Sequence, residues 1–372
     1  TKAGNGTWTL SGASTFSGGI TISAGTLQIG GAGKLGDASN LYAGNISIAT
    51  ASTFEYSSSA NQTLSGIISG LGALTKDTGT NTLTLSGSNS YTGVTTISAG
   101  TLSVSSLADG GSNSNLGAAA VAASNLVIDN ATLKYTGSSS GSTNRLFTIG
   151  ANGATLEAAG SATFAFTGTG SIATSGTGAR TLTLTGANNG SLASVIANDG
   201  SSNATAVTKA GNGTWTLSGA STYTGATAIN GGTLKLGAAG DATNTPLGTV
   251  GSGTTVASGA TLDLNGYTLG TAEALTISGT GYSSAGALTN SSATDVTYSG
   301  LITLGAAATI KASNGNIVLS NSGTITGAGF TLTLDGTATA SSLASIVGTT
   351  TGGITKAGNG TWTLSGASTY TG

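Results

Sequence analysis

The sequence predicts an all-β chain wound as a parallel β-helix, a β-solenoid of about 18 turns of roughly 20 residues each. Three observations predict it. A fifteen-residue run, Thr-Lys-Ala-Gly-Asn-Gly-Thr-Trp-Thr-Leu-Ser-Gly-Ala-Ser-Thr, begins at Thr1, recurs unchanged at Thr208 and Thr355, and returns in looser form at Thr75. A shorter pattern, Thr-Leu-x-apolar or its Trp variant, recurs at Thr7, Thr26, Thr82, Thr101, Thr132, Thr155, Thr181, Thr233, Thr261 and Thr331. The composition has 64 Gly in 372 residues, a single Pro (Pro246), no Cys, His or Met, and 6% charged residues, against about 25% in an ordinary soluble domain.

Each short pattern reads as one strand. Alternation puts Leu27 and Ile29, Leu83 and Leu85, and Leu234 and Leu236 on one face, with Thr, Ser, Gln or Lys on the other. Between the strands stand corner dipeptides, Asn5-Gly6, Asp109-Gly110, Asn152-Gly153, Asn230-Gly231, Asn265-Gly266 and Asp335-Gly336, whose first residues tolerate positive φ and whose glycines adopt it without strain. The same dipeptides also signal hairpins, but a meander has no reason to restore fifteen residues at distant positions. Successive turns of a coil meet the same environment and can be duplicated. Gly, Thr and Ser are poor helix formers, and no sustained 3.6-residue period appears. The long repeats start 74, 133 and 147 residues apart, unequal modules with one smaller period, so residues 1–372 are expected to form a single continuous solenoid segment of a longer array.

The charge balance, ten basic and twelve acidic residues, includes no basic run able to neutralise a phosphate backbone, which speaks against nucleic-acid binding. Apolar stretches fall far short of the ~20 residues of a membrane helix, so no transmembrane segment is expected in this region. The first residues lack the basic and apolar regions of a signal peptide, which is expected to lie outside the segment.

The residues also resemble a known family. The run Leu74-Thr75-Lys76 through Thr82-Leu83-Thr84-Leu85-Ser86-Gly87, then Tyr91-Thr92-Gly93, Thr95-Thr96-Ile97 and Gly100-Thr101-Leu102, resembles an autotransporter-associated β-strand repeat, a passenger-associated repeat. Trp215 through Gly232 repeats the match, and Pro246-Leu247-Gly248-Thr249 with Gly259-Ala260-Thr261-Leu262-Asp263-Leu264-Asn265-Gly266 supplies a second part of the pattern. The resemblance implies a right-handed parallel β-helix passenger, exported by a diderm bacterium and serving as an adhesin or its stalk.

Candidate chemistry is sparse. Without His or Cys there is no His-dependent triad, Cys nucleophile or ordinary zinc site. The twelve carboxylates, Asp37, Glu55, Asp129, Glu157, Asp199, Asp263 and Asp295 among them, are scattered singly. Turns of a solenoid can still pair two of them into a glycosidase-like dyad; turn or solvated positions are the simpler reading. No calcium-binding Gly-Gly-x-Gly-x-Asp unit recurs, Asp109-Gly110-Gly111 and Gly240-Asp241 being isolated, and Gly-Asn-Gly lacks the Lys-Ser or Lys-Thr of a phosphate loop. Trp8, Trp215 and Trp362 read as core, because the looser copy carries Leu83 there. Tyr91, Tyr223 and Tyr370 align with Phe16, so packing suffices at that position. Lys2, Lys76, Lys209 and Lys356 occupy one motif position, read as solvated and discouraging sideways sheet association. Outward Thr-x-Thr pairs such as Thr82/Thr84 raise an ice-binding array, which Gln28, Lys134, Glu157, Lys235 and Asp263 interrupt.

No catalytic, cofactor-binding or metal-binding residue is assigned, no cofactor is expected, and the chain is read as a non-enzymatic stalk or fibre segment, secreted to the cell surface or beyond. Its expected partners are neighbouring solenoid repeats or copies of itself end to end, with host or environmental surfaces beyond them. The competing classes are a polysaccharide-active β-helix enzyme, which needs clustered acids and bases whereas Arg145 and Arg180, the only Arg residues, lie in a region with Glu157 alone, and a segment that itself binds glycans.

Overall fold

A computed structural model describes residues 1–36, 39–200 and 203–372; Asp37 lies outside them. Two compact units divide the chain, Thr1–Leu182 and Thr183–Gly372.

In the first unit the strands Thr7–Leu10, Thr26–Gly31, Thr53–Ser58, Ala73–Lys76, Thr95–Ile97, Leu126–Ile128, Thr148–Ile149 and Ala173–Thr174 lie side by side, one from each turn. A second face stacks Leu41–Tyr42, Gln62–Leu64, Thr82–Leu85, Gly100–Val104, Ala131–Tyr135 and Ala154–Ala158. A third, shorter face stacks Ile20–Ile22, Ile46–Ile48 and Ile68–Gly70. In the second unit Thr214–Leu217, Gly232–Leu236, Ala260–Asp263 and Leu288–Asn290 form one face. Thr205–Lys209, Thr227–Ile229, Thr254–Val256 and Leu275–Gly279 form another. The eleven-residue strand Ile302–Ala312 bends round a corner between them, pairing with Leu275–Gly279 through its first half and with Leu288–Asn290 through its second.

Neighbouring strands run parallel throughout these ladders, and antiparallel contact is confined, among the described residues, to three isolated bridges at corners. The predicted parallel β-solenoid is therefore the observed fold, and the hairpin alternative is excluded. Among the described residues helix is limited to two single 3₁₀ turns, and no helix is long and apolar enough to cross a membrane.

The turn count needs correction. The coil makes about 15 turns, not 18, because turn length varies: Thr7 pairs with Thr26, 19 residues on, whereas Thr95 pairs with Leu126, 31 residues on. Strand-to-strand pairing fixes only the strands; the corners between them absorb insertions, as loop closure grows costlier only slowly with length.

Period-two alternation supplies the core. Thr53–Ser58, Ala131–Tyr135 and Gly232–Leu236 each place every second residue inside. Register then stacks like on like: Leu83, Leu102, Leu133 and Leu156 form one column, and Trp215, Leu234, Leu262, Leu288, Ile310 and Leu334 another. Each such fully buried side chain contributes about 1.5–3 kcal/mol, and each touches its counterparts in the turns before and after, so the apolar interior is continuous within each unit.

Candidate functional site

The recurrent motif builds a recurrent interior device at its lysine. In Thr205–Lys209 the inward positions are Thr205, Val207 and Lys209, so the lysine follows the apolar residue by two and shares its face. Lys2, Lys76 and Lys209 are 2%, 0% and 0% exposed. The solvated reading of this position is thus overturned. An ammonium in an apolar column is costly unless it is fully hydrogen-bonded, and the Gly-rich corner that follows provides the acceptors. Lys209 Nζ donates to the carbonyl oxygens of Ala210 at 2.7 Å, Gly211 at 2.9 Å and, one turn on, Gly231 at 2.9 Å. Lys2 Nζ repeats this with Ala3, Gly4 and Ala24. In the looser copy Lys76 donates to Thr78. Burial pulls the Lys209 ammonium down to about 8 and lowers Lys76 as well. Only Lys356, in the last turn, is exposed, still donating to Ala357 and Gly358. The missed signal was the parity of apolar-Thr-Lys in Leu74-Thr75-Lys76, Val207-Thr208-Lys209 and Ile354-Thr355-Lys356.

The tyrosine of the motif marks a second device. Tyr91 and Tyr223 are fully buried, and their hydroxyls lie 2.8 Å from Thr95 Oγ1 and 2.6 Å from Thr227 Oγ1. Burial pushes these phenols up, Tyr91 to about 12. The hydroxyl is therefore used, and the threonine four residues on is its partner; Phe16, which has none, is followed at that spacing by Ile20. The next turn closes over each ring with Ser114-Asn115-Leu116-Gly117 or Thr245-Pro246-Leu247-Gly248. The hydroxyls of Ser114 and Thr245 donate to the carbonyls of Gly117 and Gly248, both at 3.1 Å. Gly117 and Gly248 have φ of 74° and 84°, and a Cβ on either would stand 2.8 Å from the tyrosine ring. Both conditions demand glycine.

The tryptophans divide by position. Trp215 is fully buried, lying over Gly190 of the preceding turn and donating from Nε1 to the Thr185 carbonyl at 3.0 Å. Trp362, 9% exposed, lies over Ser341 and donates to the Asp335 carbonyl at 3.2 Å. The core reading holds for both. Trp8 differs: it is 57% exposed and, with Leu10, Phe16 and Ile20, lines an open recess of about 260 Å³ on the first turn.

Outward residues form ladders between turns. Gln28 accepts from Thr9 at 2.8 Å and donates to Glu55 at 2.7 Å. The ion pairs Lys134–Glu157 at 2.9 Å, Lys235–Asp263 at 3.5 Å and Lys311–Asp335 at 3.5 Å each join register partners of adjacent turns. The other singled-out carboxylates sit at corners: Asp129 accepts from Asn152, Asp295 from Asn316, and Asp199 from Asn203. Winding brings Glu55 and Asp77 to one hydroxyl, Ser57 Oγ, at 2.9 and 2.5 Å. No arginine joins them. Arg145 is buried and donates to the carbonyls of Leu116 and Gly117, both at 2.7 Å. Arg180 donates to those of Ile149, Ser175, Gly176 and Gly178. Among the described residues no three potential ligands gather as a metal would require.

These features define a repeat solenoid whose distinctive residues bind its own turns together. Residues 1–29, 74–104, 207–236 and 354–372 match the passenger-associated-transport-repeat, so the chain carries copies of that repeat. It is 34% identical over 297 residues, 79% of its length, to the "Adhesin BmaC autotransporter" of Brucella suis biovar 1 (strain 1330), of which it spans 6%. No solved structure matches the chain.

Proposed function

We propose that this chain is a stalk segment of a secreted bacterial cell-surface protein, an autotransporter-like adhesin passenger, and that its work is mechanical spacing and not catalysis. The observation that carries this reading is that the repeat's unusual residues, Lys209, Tyr223, Trp215 and Arg145, spend their polar groups on the solenoid's own carbonyls and hydroxyls. A side chain so engaged is not available to a substrate, and the two arginines that a polysaccharide-active enzyme would use are among those engaged. The relative named an adhesin supports the placement at the cell surface.

Each unit is, in this reading, part of a longer repeat array, and the partners are neighbouring solenoid turns, covalent or end to end. The test is to assay the purified chain on a glycan array, on cell surfaces and against a polysaccharide panel, alongside electron microscopy of the native protein. A stalk gives elongated particles with neither binding nor sugar release. Saturable glycan binding by the chain alone transfers the adhesive role to this segment, and release of reducing ends overturns the mechanical reading.

A further inference from the structure

We propose that Glu273 is a proton-operated clamp in the second unit, holding its turn firmly only while its carboxyl group carries a proton. Glu273 is 1% exposed, at the corner that leads into the strand Leu275–Gly279. Its Oε1 accepts from Thr254 Oγ1 of the preceding turn at 3.0 Å, and its Oε2, also buried, has no hydrogen-bond partner. The groups that face it offer no positive charge. From two turns back comes Tyr223, whose hydroxyl is engaged with Thr227. From the following turn comes Tyr298, whose hydroxyl donates to the backbone carbonyl of Glu273 at 2.7 Å, not to its carboxyl. Thr271, two residues before it, likewise has a buried hydroxyl without a partner. Among the described residues the ion pairs lie elsewhere.

A buried carboxylate with one oxygen unsatisfied and no cation carries a large desolvation cost, whereas the neutral acid needs one acceptor and one donor fewer. Burial accordingly raises Glu273 from 4.5 to about 7. Between these values the unfolded chain has released the proton and the folded one still holds it, so the folded state binds more protons and stability falls as pH rises. Below the window both states are protonated and the contribution is full; above it, both are ionised and the contribution is gone. The ratio of open to closed turn rises up to tenfold per pH unit across the window, on the order of 100-fold in all. The second unit is tightest in mildly acidic surroundings.

Amide hydrogen exchange on the full chain tests this, corrected for intrinsic rates and measured at about pH 5 and about pH 8. Protection of Thr254–Val256 and Leu275–Gly279 is expected to fall on the order of 100-fold in the wild type and to stay level in Glu273→Gln, with Thr82–Leu85 as the unchanging reference. Equal pH dependence in wild type and variant overturns the proposal. Should the variant fail to fold, infrared titration of the wild type decides: a protonated carboxyl band persisting at about pH 6 supports the clamp, and its loss with the ordinary carboxylates near pH 4–5 overturns it.

Discussion

At the Tyr91 corner of the first unit, a buried tyrosine meets Thr95, the next turn closes with Leu116-Gly117, and the turn after that contributes Arg145. At the Tyr223 corner of the second unit, the tyrosine meets Thr227, the next turn closes with Leu247-Gly248, and the turn after that contributes Glu273. Arg145 interacts electrostatically with Tyr91, and Glu273 with Tyr223. Topologically matched interior positions thus hold a permanent cation in one copy and an acid in the other. Arg145 supplies two donors to the closing turn's carbonyls, whereas Glu273 has a donor to give only when protonated. The lesson is that the corners of this solenoid, rich in inward carbonyls, favour donors, as the lysine clamps and Arg180 also show. Net charge is secondary to that demand.

The largest contrast between the corners is expected from truncating the two matched residues. Arg145→Met should destabilise the first unit by about 3 kcal/mol by stranding the Leu116 and Gly117 carbonyls, while Glu273→Met above pH 7 should be neutral or stabilising, because it removes an unpaired buried charge. Denaturant unfolding of both variants at one pH above 7 measures the difference, and similar losses in the two would break the comparison. What the corners share comes next. Gly117→Val and Gly248→Val should each cost about 2–3 kcal/mol, since positive φ and the tyrosine ring both oppose a side chain; a harmless substitution at either site would show that the closing turn can move aside. Lys209→Met, which leaves three carbonyls without their donor, is expected to cost about 2 kcal/mol, and Lys76→Met, with fewer acceptors, less. Smallest are Tyr91→Phe and Tyr223→Phe, about 1 kcal/mol each for one hydroxyl contact. Equal losses in thermal unfolding would show that the two hydroxyls contribute equally in the two corners.

Much of this molecule was legible from residue order. Alternation of Leu27, Gln28 and Ile29 identified the inward face, and the restored fifteen-residue run identified stacked turns. Turn length was not legible, because corners between Ile97 and Leu126 take insertions without disturbing the register on either side. The lysine's charge suggests solvent, whereas its two-residue parity with Val207 places it inside. The partners that make burial tolerable, such as the Gly231 carbonyl beneath Lys209, come from 22 residues away.

Sequence alone therefore determined the features that period and repetition set: strands, a parallel coil, an apolar interior within each unit and the passenger-associated repeats. These depend on local geometry, in which a side chain's face is set by its position along its own strand. Tertiary structure decided the roles of the few polar residues turned inward, because desolvation and hydrogen bonding depend on neighbours supplied by other turns. Arg145 and Glu273 are both isolated charges in a sparsely charged chain; only the stacked turns around them make one a fixed clasp and the other dependent on a proton.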